Sequence, residues 1–143
     1  DSFGQEAVST LIQEMENNRD KLIVILAGYT KEMNEFMESN SGLKSRISKS
    51  IIFEDYTEDE IAEIFNHFAS ERGIVINKDT EILIKDMLRS IVKNKDDKFG
   101  NARDVRSLFE SIWQNMVTRV ELNNLSGEDR ITFTVEDVKE VRI

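Results

Sequence analysis

From Thr57 onward the apolar residues recur at helical spacing, and that periodicity limits the second half of the chain to a small bundle of helices. Thr57 and Glu60 stand three apart as a capping box, and Ile61, Ile64, Phe65 and Phe68 follow as one apolar stripe that Gly73 ends. A second helix is expected over about residues 79–93, with Leu83, Ile84, Met87, Leu88, Ile91 and Val92 on one side. The polar stretch 94–98 reads as a loop. A third and longest helix, about 101–122, carries Val105, Leu108, Phe109, Ile112 and Met116. After a Ser126-Gly127 turn, Ile131, Thr132 and Phe133 read as extended, and Thr134 caps a last short helix with Val138 and Val141.

The first 56 residues follow a different pattern. Ser2 and Gln5 form a capping box, and Val8, Leu11, Ile12 and Met15 predict a helix over about 3–17. The run Leu22-Ile23-Val24-Ile25-Leu26-Ala27 has strand length and is apolar on both faces, as in a covered parallel sheet, and Gly28 permits a sharp exit. Thr30 caps a short helix whose Met33, Phe36 and Met37 share a face. Ser39, Asn40, Ser41 and Gly42 read as a turn, and Ile51, Ile52 and Phe53 as a second short strand. Helix, strand, helix, strand is a slice of a βαβ layer. The chain is thus mixed α/β and mostly α, with a break near residue 56.

Composition removes several classes of function. With 28 acidic against 19 basic residues and a formal charge of -9, the chain lacks the basic surface that nucleic-acid binding requires. Cysteine is absent, so disulfides and thiolate metal sites are excluded, and the single His67 excludes paired-histidine ligation and a histidine triad within the chain. His67 lies between Phe65 and Phe68 and reads as a structural histidine. Trp113 reads as core or interdomain packing. Glu54, Asp55, Asp96 and Asp97 match no calcium loop and read as solvated charges. No apolar run reaches the roughly 20 residues that span a bilayer, and the Asp1-Ser2-Phe3-Gly4 opening carries no signal peptide, so a cytoplasmic protein without membrane contact is expected. Without an initiator Met, the chain is expected to be a piece whose chemistry continues upstream.

Three segments are distinctive: Leu26-Ala-Gly-Tyr-Thr-Lys-Glu-Met33, Ser41-Gly-Leu-Lys-Ser-Arg-Ile47, and Phe99-Gly-Asn-Ala-Arg-Asp-Val-Arg106. Together with Phe3-Gly-Gln-Glu-Ala7 they resemble, in order and over nearly the whole chain, the AAA+ subfamily of the CbbX-type rubisco activases and stage V sporulation protein K, to which ATPases of type VII secretion are related. The resemblance implies that residues 1–56 are the carboxy-terminal part of an α/β nucleotide-binding core holding two of its strands, and that 57–143 are its helical lid. It also implies a parent that binds ATP and Mg²⁺, assembles as a ring, commonly hexameric, and remodels a client protein. The chain itself contains no Gly-Lys-Ser or Gly-Lys-Thr and no apolar strand ending in Asp-Glu, so it is expected to hold no nucleotide and to be inactive alone.

By the same resemblance Arg46 is an arginine finger that acts on a neighbouring subunit's nucleotide, with Lys44 as a basic neighbour. A guanidinium is always charged and suits the negative oxygens of a transferring phosphoryl group. Without the motif, Arg46 reads as a surface residue in a turn. Arg103 takes the sensor 2 position and contacts the γ-phosphate, with Arg106 as the fallback. At about 100° per residue, Arg103 lies nearly opposite the apolar stripe of its helix, and a cation in a first helical turn opposes the helix dipole. The bland alternative pairs Arg103 with Asp104 or Glu110. Tyr29 occupies the sensor 1 position, where its hydroxyl could donate a hydrogen bond, or it packs at a strand end. A non-catalytic helical interaction module is the alternative function. In the resembled sheet the strand of the phosphate loop lies between the two strands present here, so exposed edges and self-association through 1–56 are expected.

Overall fold

The structure, a computed structural model, describes residues 2–95 and 99–141. The chain divides into two compact units, Asp1–Phe53 and Glu54–Ile143. Most described residues are helical, as the periodicity predicts.

The amino-terminal unit holds α1 (Ser2–Asn17), α2 (Thr30–Ser39) and the short α3 (Ser41–Lys44). Tyr29, rather than Thr30, occupies the N-cap of α2, and no side chain caps it. The side chain of Ser2, and with it the expected first capping box, lies outside the described residues. The expected turn at 39–42 is instead the junction of two helices. Asn40 leaves helical geometry at φ -131° and ψ 82°, its Nδ2 donates to Phe36 O at 2.8 Å, and its carbonyl accepts from Leu43 and Lys44 to begin α3.

Neither expected strand forms among the described residues. Residues 22–27 and 51–53 join no sheet, and Ile23 (87%), Ile25 (85%) and Phe53 (90%) are almost fully exposed. An apolar run becomes a strand only when a neighbour takes up its N–H and C=O groups. The described residues supply neither that neighbour nor a layer to cover the two faces. Leu43 is the one buried side chain described in this unit.

The carboxy-terminal unit has a core of its own. Its elements are α4 (Glu58–Glu71), β1 (Val75–Ile76), α5 (Lys78–Lys93), α6 (Ala102–Leu122), a 3₁₀ turn (Gly127–Ile131), β2 (Thr132–Phe133) and α7 (Val135–Lys139). The Thr57–Glu60 capping box is present: Thr57 Oγ1 accepts from Glu60 N, and Glu60 Oε2 accepts from Thr57 N at 2.8 Å. The bonds that Thr57 N and then Thr57 Oγ1 donate to the Glu60 carboxyl hold it below the usual carboxylate range. Such caps stabilise a helix by about 1 kcal/mol.

The α4 and α6 stripes meet in an aromatic cluster. Phe109 lies 5.4 Å from Phe65, 5.9 Å from Phe68 and 5.5 Å from Phe133, measured between ring centroids. Rings at these separations attract beyond their area burial by about 0.5–1.5 kcal/mol per pair. Trp113 stands at the edge of the cluster, and Arg72 lies over both the Phe109 ring (5.0 Å) and the Trp113 ring (4.9 Å). His67 is exposed, with its Nε2 3.4 Å from Glu71 Oε1.

Two features of this unit escaped the periodicity. Strands β1 and β2 pair in parallel, Val75 with Thr132 and Ile76 with Phe133, closing the bundle at one end. Beneath them lies a buried ion pair. Arg119 grips Asp137 with Nε at 2.8 Å and Nη2 at 3.0 Å, and Nη2 also donates to Thr132 O at 2.9 Å. Asp137 Oδ2 accepts in addition from Thr134 N and Oγ1, so one carboxylate serves both the pair and the cap of α7.

Candidate functional site

Arg46 follows α3, and its surroundings are built by two neighbours in the motif. A Cβ on Gly42 would come within 2.9 Å of Ile12 Cδ1, so the end of the Ile12 side chain packs directly on the glycine. Leu43, fully buried, anchors the segment. Arg46 then reaches Glu16 of α1 through Nη2 at 3.0 Å and Nε at 3.2 Å, and donates through Nη1 to Gly42 O at 3.1 Å. The Arg46 side chain is 32% exposed and that of Glu16 is 56% exposed. An ion pair this open to water contributes about 1 kcal/mol or less, so a more strongly anionic group could displace Glu16. Lys44 is exposed beside it.

Arg103 sits in the first turn of α6, exposed, and its guanidinium has no hydrogen-bond or ion-pair partner among the described residues. The pairing with Asp104 or Glu110 is not formed. Asp104 Oδ2 instead accepts from Gly100 N at 2.9 Å, so close that a Cβ on Gly100 would stand 2.5 Å from Asp104 Oδ1. The other arginines of α6 are engaged: Arg106 lies over the Phe68 ring at 4.7 Å, and Arg119 holds Asp137. Of the two sensor candidates, Arg103 has no described partner and Arg106 lies over a ring.

Tyr29 is half exposed at the N-cap of α2, and its carbonyl accepts from Met33 N. Its hydroxyl has no described partner. Among the acidic residues, Asp55 is tied in on both sides. Asn101 Nδ2 donates to its Oδ1 at 2.8 Å and Lys95 Nζ to its Oδ2 at 2.7 Å, and these two bonds, Asn101's first, hold its carboxyl below the usual carboxylate range. Asp96 and Asp97 lie outside the described residues. No cluster of three or more His, Cys, Asp or Glu side chains able to hold a metal occurs among the described residues.

Sequence reasoning did not single out Asn101. Its backbone stands at φ 52° and ψ -120°, and its Oδ1 accepts from Tyr56 N at 2.9 Å. A signal was available, since a Gly-Asn pair just before a helix marks a position that tolerates positive φ.

Residues 57–142, most of the chain, match the family model of the AAA lid domain. The chain belongs to this family. Its lid is the unit that carries Arg103, and the match begins at the Thr57 capping box. The relatives found extend the likeness across the amino-terminal unit. The chain is 37% identical to Protein CfxQ homolog of Trieres chinensis over 148 residues, covering 94% of this chain and 50% of that protein. It is 33% identical to Protein CbbX of Cereibacter sphaeroides over 144 residues, covering 99% and 46%. It is 34% identical to ESX-3 secretion system protein EccA3 of Mycobacterium leprae (strain TN), covering 96% of this chain and 24% of that protein. The chain is CbbX-like, as its three motifs imply, and spans about half the length of the CfxQ and CbbX relatives. No described helix is long and apolar enough to cross a membrane.

Proposed function

We propose that this chain is the nucleotide-sensing, carboxy-terminal part of an AAA+ ATPase subunit that works in a ring on a protein client. Residues 1–56 are the end of its nucleotide core and 57–143 its lid. ATP and Mg²⁺ belong to the complete subunit. The observation that carries the reading is Arg103. It is a cation with no described partner, placed in the first turn of a long helix where the helix dipole disfavours it, on a lid whose neighbouring Arg106 and Arg119 are engaged. An anion is what such a position lacks, and the terminal phosphate of ATP supplies one. Arg46 complements it as the group offered to a neighbouring subunit's nucleotide.

In the full-length ATPase, Arg103→Ala is expected to raise the ATP concentration for half-maximal turnover by about 10–100-fold, the worth of a charge-assisted hydrogen bond. An unaltered ATP dependence would reject the sensor role. The 143-residue chain alone is expected to release no phosphate from ATP, since it has no Gly-Lys-Ser/Thr loop; measurable hydrolysis by the purified chain would contradict this division of labour.

A further inference from the structure

Asn101 precedes α6 as its N-cap residue, yet it does not cap the helix. An N-cap asparagine ordinarily accepts from a backbone N–H of its own first turn. Here the side chain makes no such bond. Its Oδ1 accepts from Tyr56 N at 2.9 Å, and its Nδ2 donates to Asp55 Oδ1 at 2.8 Å, some 45 residues back in the chain. Lys95, two residues beyond α5, donates to the same carboxylate. The Asn101 side chain therefore grips the segment that enters the lid. Its backbone, meanwhile, starts the turn that carries Arg103: Arg103 N donates to Gly100 O at 2.9 Å, and Asp104 N to Asn101 O at 3.1 Å.

The backbone geometry adds a second observation. At φ 52° and ψ -120°, Asn101 holds a conformation that glycine adopts freely and other residues rarely do. A residue kept there at a conformational cost is supplying something a glycine would not. What it supplies is the pair of hydrogen bonds to Asp55 and Tyr56.

We propose that Asn101 is a positioning residue, coupling the entry segment Asp55 and Tyr56 to Arg103 so that the path of that segment sets where the guanidinium stands. The inference rests on the reading of Arg103 as a nucleotide sensor. A movement of the chain at residues 55–56 is then transmitted across two hydrogen bonds to the start of α6. On the flanks, Lys95 bonds to Asp55 and Gly100 N donates to Asp104 Oδ2.

The test uses the full-length ATPase. Asn101→Gly suits the backbone and removes the grip together with a long bond from Asn101 Nδ2 to Phe99 O at 3.4 Å, so the lid is expected to melt within a few degrees of wild type. The ATP concentration for half-maximal turnover is expected to rise by about tenfold, the worth of one charge-assisted bond. In the Arg103→Ala background the same change is expected to add nothing. Transposing the pair, Asp55→Asn with Asn101→Asp, preserves a donor facing an acceptor and is expected to restore most of the response that Asn101→Asp alone loses. If Asn101→Gly leaves the ATP dependence unchanged while Arg103→Ala alters it, the coupling is refuted and the sensor reading stands. A loss that adds to that of Arg103→Ala also refutes it, since Asn101 would then act independently of the arginine. An Arg103→Ala protein with normal ATP dependence overturns the sensor reading and this inference with it.

Discussion

Arg46→Ala in the full-length ATPase is expected to lower turnover by about 10³-fold or more, with ATP binding little changed, because arginine fingers act on the charge that develops during phosphoryl transfer. The guanidinium is held in reserve rather than buried. Its polar contacts among the described residues are an exposed carboxylate, a carbonyl and a hydroxyl, Glu16, Gly42 O and Ser45 Oγ, and the open ion pair costs little to break. Arg46→Lys should recover only a small part of the rate, since an ammonium cannot present the planar fork. Glu16→Gln should leave the rate within about fivefold, because an open ion pair of this kind is worth no more than about 1 kcal/mol. Action on the neighbour has its own signature. Mixing Arg46→Ala subunits with subunits unable to bind nucleotide should restore some hydrolysis that neither has alone. Steady-state phosphate release measures all of these, and an Arg46→Ala enzyme at wild-type turnover would end the finger assignment.

The largest stability effect is expected from Asp137→Ala. The carboxylate is 2% exposed and Arg119 is 16% exposed, so removing one partner leaves a charge in a nearly dry site. Breaking a buried pair in this way costs about 3–5 kcal/mol. For a domain of this size even 3 kcal/mol lowers the melting temperature by about 12–24 °C. The change also strips Thr134 N and Oγ1 of their acceptor, freeing the start of α7. Adding Arg119→Met to Asp137→Ala should recover part of the loss, since the orphaned cation is then gone. Thermal denaturation followed by circular dichroism reads both, and a double variant as unstable as the two single losses summed would show that no such coupling exists.

Much of the lid was legible because its helices announce themselves locally. The Thr57–Glu60 box, the stripe of Ile61, Phe65 and Phe68, and the Thr134 cap all rest on residues within a turn or two of each other, and each is found. Contacts that depend on distant partners were not legible. Nothing near Val75 indicates that it will pair with Thr132, and nothing near Arg119 indicates Asp137. The runs at 22–27 and 51–53 failed in the opposite direction. Their composition records what a strand would need, and the described residues do not supply it. Of the candidate residues, the exposure of Arg103 followed from helical geometry alone, while the grip of Asn101 on Asp55 and Tyr56 required the fold.

The parallel pairing of β1 with β2 also sets a timetable. Phe133 and Val138 are fully buried, and Asp137 is nearly so, yet all three follow the long α6 in the order of synthesis. A nascent chain that has completed α4, β1 and α5 still lacks the strand, the ring and the carboxylate that close their bundle. At about 5–20 residues per second, it waits several seconds with Phe65 and Phe68 incompletely covered. During that interval the apolar stripes are open to the cell's chaperones, and the lid becomes a finished domain only when α7 emerges.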